Sequence, residues 1–589
     1  MASAAGVFWL EADPASGLNR IHGLDHTGGG SFALLSESFG VRSQVNGYGG
    51  GALCAAPDRL FAVESASQQI HTVFPVGGQC EPLTRDSGAC FGGLVWDPPR
   101  ARLLAVREAA DRQQLVAVRE GQVEVLHQGE DFYSAPAVSA SGRQLAWVSW
   151  SLPDMPWLAS VLWLAEIGED GRLARARPIP FPAASTAGSV QQPVFVGETL
   201  VVLSDHRGWW QPYNLSHPDR WQCLDETRLD GASAPWQLGE SQHLRLASGW
   251  VRVKYRQGLG ELWWQADGGA AAVRLADRYL DFRGLRQQGD RVVCIARAAD
   301  RLDAVLAIHP QSGQVQCLAG GERPFGDTRL AVPEPFQLSA DDEDGLSISG
   351  FFYAPVAASA DRTGPPPLVM IAHGGPTSMV APVLNPQVQF LCHQGFAVAE
   401  VNYRGSAGFG RDFRLCLGGQ WGLLDVQDME QAARYLVGGG QADAGRVFIQ
   451  GRSSGGYTAL MAMVSSAYFS AGVSQFGVSD PARLRTMTHR FESGYLDWLL
   501  GPLARNPGPW QQRSPLVQAG RIRRPMAFFQ GGQDAVVVPD QTRAMAAAIR
   551  ANGQQPLVRE YPEEGHGFRK AANQADMLRR LADFYHHCC

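Results

Sequence analysis

The sequence predicts two domains: an N-terminal seven-bladed β-propeller and a C-terminal α/β-hydrolase built on a doubly wound, mostly parallel sheet. Three observations predict this. From Gly6 to about Ala319, pairs of alternating apolar runs separated by polar turns recur about every 40–50 residues, giving about seven units. Beyond about Glu334, runs that are apolar throughout, such as "PLVMIAHGG" and "RPMAFFQGGQD", alternate with helix-like segments such as "LLDVQDMEQAARYLV". Within that second half, "GRSSGGY" (Gly451 to Tyr457) joins a strand-like run to a helix-like one.

Each element follows from its pattern. Period-two alternation with little helical periodicity indicates short strands, and a four-stranded unit cannot bury both faces alone, so about seven must stack. A pair of β-sandwiches is the competing arrangement. Strands apolar on both faces belong to a sheet covered on both sides, which makes the second half α/β. The boundary is expected at residues 1–330 and 331–589, with "VAASADRTGPPP" as a surface loop.

Length and composition narrow the function. At 589 residues the chain exceeds one ordinary domain of roughly 100–250 residues. With 45% hydrophobic and 18% charged residues it has the balance of a soluble globular protein, and a net charge of −6 implies no nucleic-acid partner. No stretch offers about 18 uncharged apolar residues, and "MASAAGVFWLEADPASG" lacks a basic start followed by a long apolar run. No membrane association is expected, and a cytoplasmic location is. The ten cysteines include no C-x-x-C pair, so neither a metal site nor a disulfide framework is implied, and no cofactor is required. The ending His586-His587-Cys588-Cys589 is expected to fray rather than bind metal.

A serine hydroxyl attacks a carbonyl only when a base removes its proton, and a G-x-S-x-G elbow holds such a serine on a tight strand-to-helix turn. Ser453 has Gly451 and Gly455 two residues to either side, whereas Ser454 has Arg452 upstream. Ser453 is therefore the candidate nucleophile, and the Ser454 amide a candidate oxyanion donor. Hydrolases of this fold place the acid and then the histidine after the serine. Asp534 in "FFQGGQDAVVVPDQ" and His566 in "YPEEGHGF" lie at strand ends in that order. Asp540 is the rival acid, but its place after Pro539 suggests a helix cap. In "AHGGPTS", Gly375 is the expected second oxyanion donor, with Gly374 as the other choice.

Two residues are candidates for substrate binding. Glu492 in "HRFES" would anchor a free amine, against the alternative of a solvated or internally paired carboxylate. Trp209, with Trp210, would line a cavity, against the alternative of packing within a propeller strand.

The ordered phrases "HGGP", "VNYRGSAGFGRDF", "QWGLLDVQDM", "GRSSGGY", "THRFESGYLDWLLG", "QGGQDAVVVP" and "EEGHGF" resemble the prolyl oligopeptidase family of serine peptidases. The similarity is to its acylaminoacyl-peptidase and dipeptidyl-aminopeptidase-like branch, which includes puromycin-hydrolase-type aminopeptidases; "WLEADPASG", "YGGG" and "SDHRGWW" extend it into the first half. The resemblance implies a propeller that caps the hydrolase mouth and restricts access. It also implies Ser453, Asp534 and His566 as a triad, with Gly375 and Ser454 as the oxyanion hole. Acylaminoacyl peptidases carry arginine two residues after the triad aspartate; here Val536 stands there, which weakens the case for blocked N-termini.

The expected activity is therefore a peptidase or amidase acting near the N-terminus of short peptides or aminoacyl amides. One alternative is acyl transfer by the same triad, as in a ligase, macrocyclase or precursor-processing amidase. Another, of a different class, is a propeller interaction module carrying an inactive hydrolase. Homo-oligomerisation is left open by the sequence.

Overall fold

A computed structural model describes the chain except residues 4–5, 25–29, 111, 183–186, 218–219, 270, 327, 341–344 and 357–363. Most of the surface loop expected after Val356 therefore lies outside the described residues. Contacts divide the chain into two units. The first comprises Met1–Asp13, Gly17–Arg297 and Leu302–Glu322, and the second Pro14–Ser16, Ala298–Arg301 and Arg323–Cys589.

The first unit holds seven four-stranded antiparallel sheets among its described residues, spanning 2–33, 53–82, 89–127, 132–179, 190–223, 243–275 and 281–320. Each is one propeller blade of four consecutive strands. Spacing is less even than the expected repeat, because loops between blades differ in length. Inner strands such as Gln144–Trp150 are buried almost throughout, whereas outermost strands such as Gln314–Gly320 are largely exposed. Large side chains fill the space between blades: Trp147 and Leu145 pack with Leu104 and Val106 of the preceding blade. Among the described residues the first and seventh blades share no strand, and Val7 and Trp9 of the first pack against Val293, Val305 and Ala307 of the seventh. Apolar burial worth roughly 25 cal/mol per Å² takes the place of backbone pairing at this seam.

The second unit is built on an eight-stranded mixed sheet in the order Pro333–Ser339, Ser347–Tyr353, Ala397–Asn402, Leu368–Ala372, Val447–Arg452, Ala471–Gln475, Met526–Gly531 and Leu557–Tyr561. The first two strands run antiparallel and the rest parallel from Ala397–Asn402 onward. Ala397–Asn402 and Met526–Gly531 are buried at every position, as expected of strands covered on both faces. The edge strand Pro333–Ser339 carries two prolines and is mostly exposed, a composition that blunts an open sheet edge.

The C-terminus departs from expectation. A helix continues through Ala571–Cys588, with Leu581 and Tyr585 fully buried and the His586 ring against Phe396 at 4.9 Å. Its apolar stripe docks the last turn on the domain core, which prevents the expected fraying.

Candidate active site

The strand Val447–Arg452 and the helix Ser454–Ser465 meet at Ser453, whose backbone lies at φ 53°, ψ −120°. A non-glycine residue in that region is strained by about 1–3 kcal/mol and persists only where its surroundings enforce it. The flanking glycines show what enforces it. A Cβ on Gly451 would lie 2.2 Å from the Gly455 backbone, and one on Gly455 would lie 2.1 Å from the Ala372 carbonyl oxygen. The Ser453 amide donates to Gln475 O at 3.0 Å, tying the turn to the neighbouring strand.

Asp534 and His566 come from the two loops that follow strands Met526–Gly531 and Leu557–Tyr561. His566 Nε2 lies 2.9 Å from Ser453 Oγ, and its Nδ1 lies 2.8 Å from Asp534 Oδ2. The Asp534 side chain is fully buried, and its Oδ1 accepts the amides of Val536 and Val537, each at 2.9 Å. The loops are locked together: Gln533 N donates to Glu564 O, and a Cβ on Gly531 would meet Gly565 O at 2.2 Å. Glu564 in turn accepts the amides of Arg569 and Lys570 and the side chain of Asn573, so its carboxylate shapes the histidine loop. Asp540 sits in the first turn of helix Pro539–Ala551, bonded to Arg483 and Arg543, while Val538 occupies the cap position.

The loop after Leu368–Ala372 lies beside the serine, since a Cβ on Gly374 would be 3.6 Å from Ser453 Cβ. His373 Nδ1 lies 2.8 Å from Gly374 O, and its ring stacks on Tyr403 at 4.3 Å. Burial pushes the His373 imidazole down to about 4, so it is neutral near pH 7. In a planar trans peptide, a carbonyl held on one side directs the following amide to the other. The Gly375 and Ser454 amides make no hydrogen bond among the described residues.

A second layer behind the elbow was not anticipated from the sequence. Trp421 Nε1 donates to Ser454 Oγ at 3.1 Å, and its ring stacks on Tyr457 at 3.7 Å. Asp425 accepts the Gly422 amide and the Thr458 hydroxyl, at 2.6 and 2.5 Å. Both aromatic and acidic residues belong to the phrase "QWGLLDVQDM", but nothing local in that phrase reveals that it lies under the serine helix.

The candidate substrate residues are placed differently. Glu492 Oε2 lies 3.3 Å from both Thr488 Oγ1 and His489 Nε2, and both of these partners lie within its own segment. That segment touches the glycine-rich loop through Tyr495, whose hydroxyl is 2.6 Å from Thr377 Oγ1. Trp209 is half-buried in the first unit, next to Trp210, which is fully buried with Nε1 on Ser189 Oγ at 2.8 Å.

Known proteins resemble this chain in sequence and fold. A model of the prolyl oligopeptidase family matches residues 382–589. A puromycin-hydrolyzing peptidase of Mycobacterium tuberculosis is 30% identical with a TM-score of 0.93, covering 100% of this chain and 94% of that one. A puromycin hydrolase structure has the same TM-score at 27% identity, covering 100% of this chain and 93% of that one. Dipeptidyl aminopeptidase BIII of Pseudoxanthomonas mexicana is 28% identical over 299 residues, 49% of this chain and 43% of that protein. The chain thus spans less than half the length of this curated relative. Among the described residues, no helix is long and apolar enough to cross a membrane.

Proposed function

The chain belongs to the prolyl oligopeptidase family of serine peptidases, and from that premise we propose that it hydrolyses short peptides or aminoacyl amides near their N-terminus. One observation carries the reading: the unbroken hydrogen-bond chain from Ser453 through His566 to Asp534 on a strained elbow. Ser453 Oγ attacks the substrate carbonyl while His566 Nε2 takes its proton; the same nitrogen then protonates the leaving amine. Asp534 holds the Nδ1–H tautomer and stabilises the imidazolium. Water, activated by His566, next releases the acyl group.

The amides of Gly375 and Ser454 are proposed to receive the oxyanion. Their lack of intramolecular partners and the anchored Gly374 carbonyl support this role, and such preorganised donors are worth roughly 3–4 kcal/mol in the transition state. The substrate class draws on the relatives, described as puromycin-hydrolyzing peptidase and dipeptidyl aminopeptidase. Glu492 is proposed to hold the free α-amine, which would then compete with Thr488 and His489 for its carboxylate.

The test is a panel of peptides and aminoacyl amides with free and acetylated N-termini, combined with fluorophosphonate labelling. Cleavage of the free-amine substrates and labelling that disappears in Ser453→Ala are expected. Equal labelling of both proteins would refute the nucleophile, and preference for acetylated substrates would refute the substrate class. Glu492→Gln should raise KM for free-amine substrates and leave acetylated ones unaffected.

A further inference from the structure

The first unit holds an open pocket of about 370 Å³, lined by residues from all seven blades and within the roughly 300–1,000 Å³ of small-molecule sites. We propose that this cavity binds a small organic carboxylate with an apolar body, its carboxylate taken by the outer edge of the Arg283 guanidinium.

The wall is built from repeated irregularities. In the third, fourth, fifth and seventh blades the innermost strand carries a bulge, at register shifts opposite Leu104/Val106, in Ser134/Ala137, in Gln191/Val194 and in Arg283/Arg286. The first bulge residues, Gly93, Ala135, Gln192 and Gly284, all have φ between 52° and 61°. Ala135 and Gln192 adopt this region without being glycine, and strain of this kind concentrates at ligand sites. Bulges also re-aim side chains. In the seventh blade the bulge follows Arg283 directly, and that side chain lines the cavity.

Arg283 is suited to an anion. Its Nε donates to Asp281 Oδ2 at 2.9 Å, which fixes the planar group and leaves both Nη atoms without a protein partner among the described residues. The side chain is 63% exposed while its partner Asp281 is 4% exposed, so the guanidinium is wetted where it lines the cavity. Asp281 offsets this charge only in part, because it is shared with Arg297, whose Nη1 bonds it at 3.2 Å and whose Nε bonds Asp303 at 3.3 Å. Arg286 adds a second cation, tied to the carbonyls of Leu285 and Gly239. Opposing them is Glu240, whose Oε2 accepts from Ser233 and Gln242; burial raises its carboxyl to about 7, which holds much of it neutral. The balance is cationic, and a guanidinium edge matches a carboxylate with two parallel bonds. Leu53, Leu94, Pro136, Val194 and Ile295 supply apolar wall for the rest of the ligand.

The test is isothermal titration calorimetry of the full chain with 4-methylpentanoate, and with 4-methylpentan-1-ol as the uncharged counterpart. Protein whose Ser453 has been blocked by fluorophosphonate should give the same isotherm as untreated protein. Saturable binding of the carboxylate is expected, at least tenfold weaker for the alcohol. Arg283→Gln should weaken carboxylate binding at least tenfold, Arg283→Lys by less, and Val194→Trp should abolish it by filling the cavity. Melting temperatures establish that each variant is folded; if Arg283→Gln does not fold, Arg283→Lys and Val194→Trp carry the decision. Absence of saturable binding, equal affinity for acid and alcohol, or unchanged binding in the folded variants would overturn the assignment.

Discussion

The indole Nε1–H of Trp421 is bonded to the hydroxyl of Ser454 at 3.1 Å, with both side chains buried. The second serine of "GRSSGGY" therefore has a side-chain role of its own beside the one proposed for its amide. Ser454→Ala strands a buried donor, an effect of about 1–3 kcal/mol. The expected outcome is a lower melting temperature with fluorophosphonate labelling retained, because the Ser453–His566 contact does not involve the Ser454 side chain. Loss of labelling in a folded variant would contradict this division of roles.

Asp534→Asn tests the tautomer argument. An asparagine can keep its oxygen on the Val536 and Val537 amides only by turning its amide group toward His566 Nδ1. The imidazole proton then moves to Nε2, facing Ser453, and no base remains for the hydroxyl. By analogy with the same change in other serine proteases, kcat should fall about 10⁴-fold while KM changes little. Steady-state kinetics on a cleaved substrate measures both.

Gly455→Ala separates geometry from chemistry. The added methyl would sit 2.1 Å from Ala372 O and 2.7 Å from His373 O, so the serine helix must move away from the neighbouring strand. Overpacking of this kind costs about 1–3 kcal/mol or more, and labelling of Ser453 should be lost with it. Gly438→Ala is the control: a Cβ there meets nothing within 4 Å, and a slightly raised melting temperature is expected at this helical position.

Asp425 predicts a pH dependence of stability. Burial raises its carboxyl to about 6, above the ordinary value near 3.9, with the buried Asp428 adding to the effect. The folded state therefore holds a proton that the unfolded chain has released between about pH 4 and 6. Its contribution is fully present below about pH 4 and is lost as pH rises through 6, amounting to about 2–3 kcal/mol. A neutral side chain here can donate to Thr458 Oγ1, whose hydroxyl is 3.2 Å from Ser454 O, while still accepting from Gly422 N. Asp425→Asn should thus fold and flatten this part of the profile, whereas Asp425→Ala should lose stability at every pH. Urea denaturation at pH 5 and pH 8 distinguishes the two.

Legibility followed the range of the interactions. The elbow could be read because steric crowding at Gly451 and Gly455 is local, and their spacing around Ser453 records it. Strand-end histidine and aspartate could be read because buried parallel strands announce themselves as apolar runs. The edge strand Pro333–Ser339 was harder, since an exposed strand with two prolines has no such signature. Glu564 shows the limit. As a residue of "EEGHGF" it resembles any acidic neighbour of a histidine, and only the folded loop reveals it accepting the amides of Arg569 and Lys570.

By itself the sequence determined the two kinds of architecture and the chain order of the candidate serine, acid and base, because periodicity and glycine spacing are properties of neighbouring residues. Tertiary structure decided which side chains meet across long separations. Trp421 reaches Ser454, Asp425 reaches Thr458, and bulged strands from separate blades converge on one cavity. Those contacts arise from packing elements far apart along the chain, where burial and hydrogen-bond satisfaction select the partner and no local pattern records the choice.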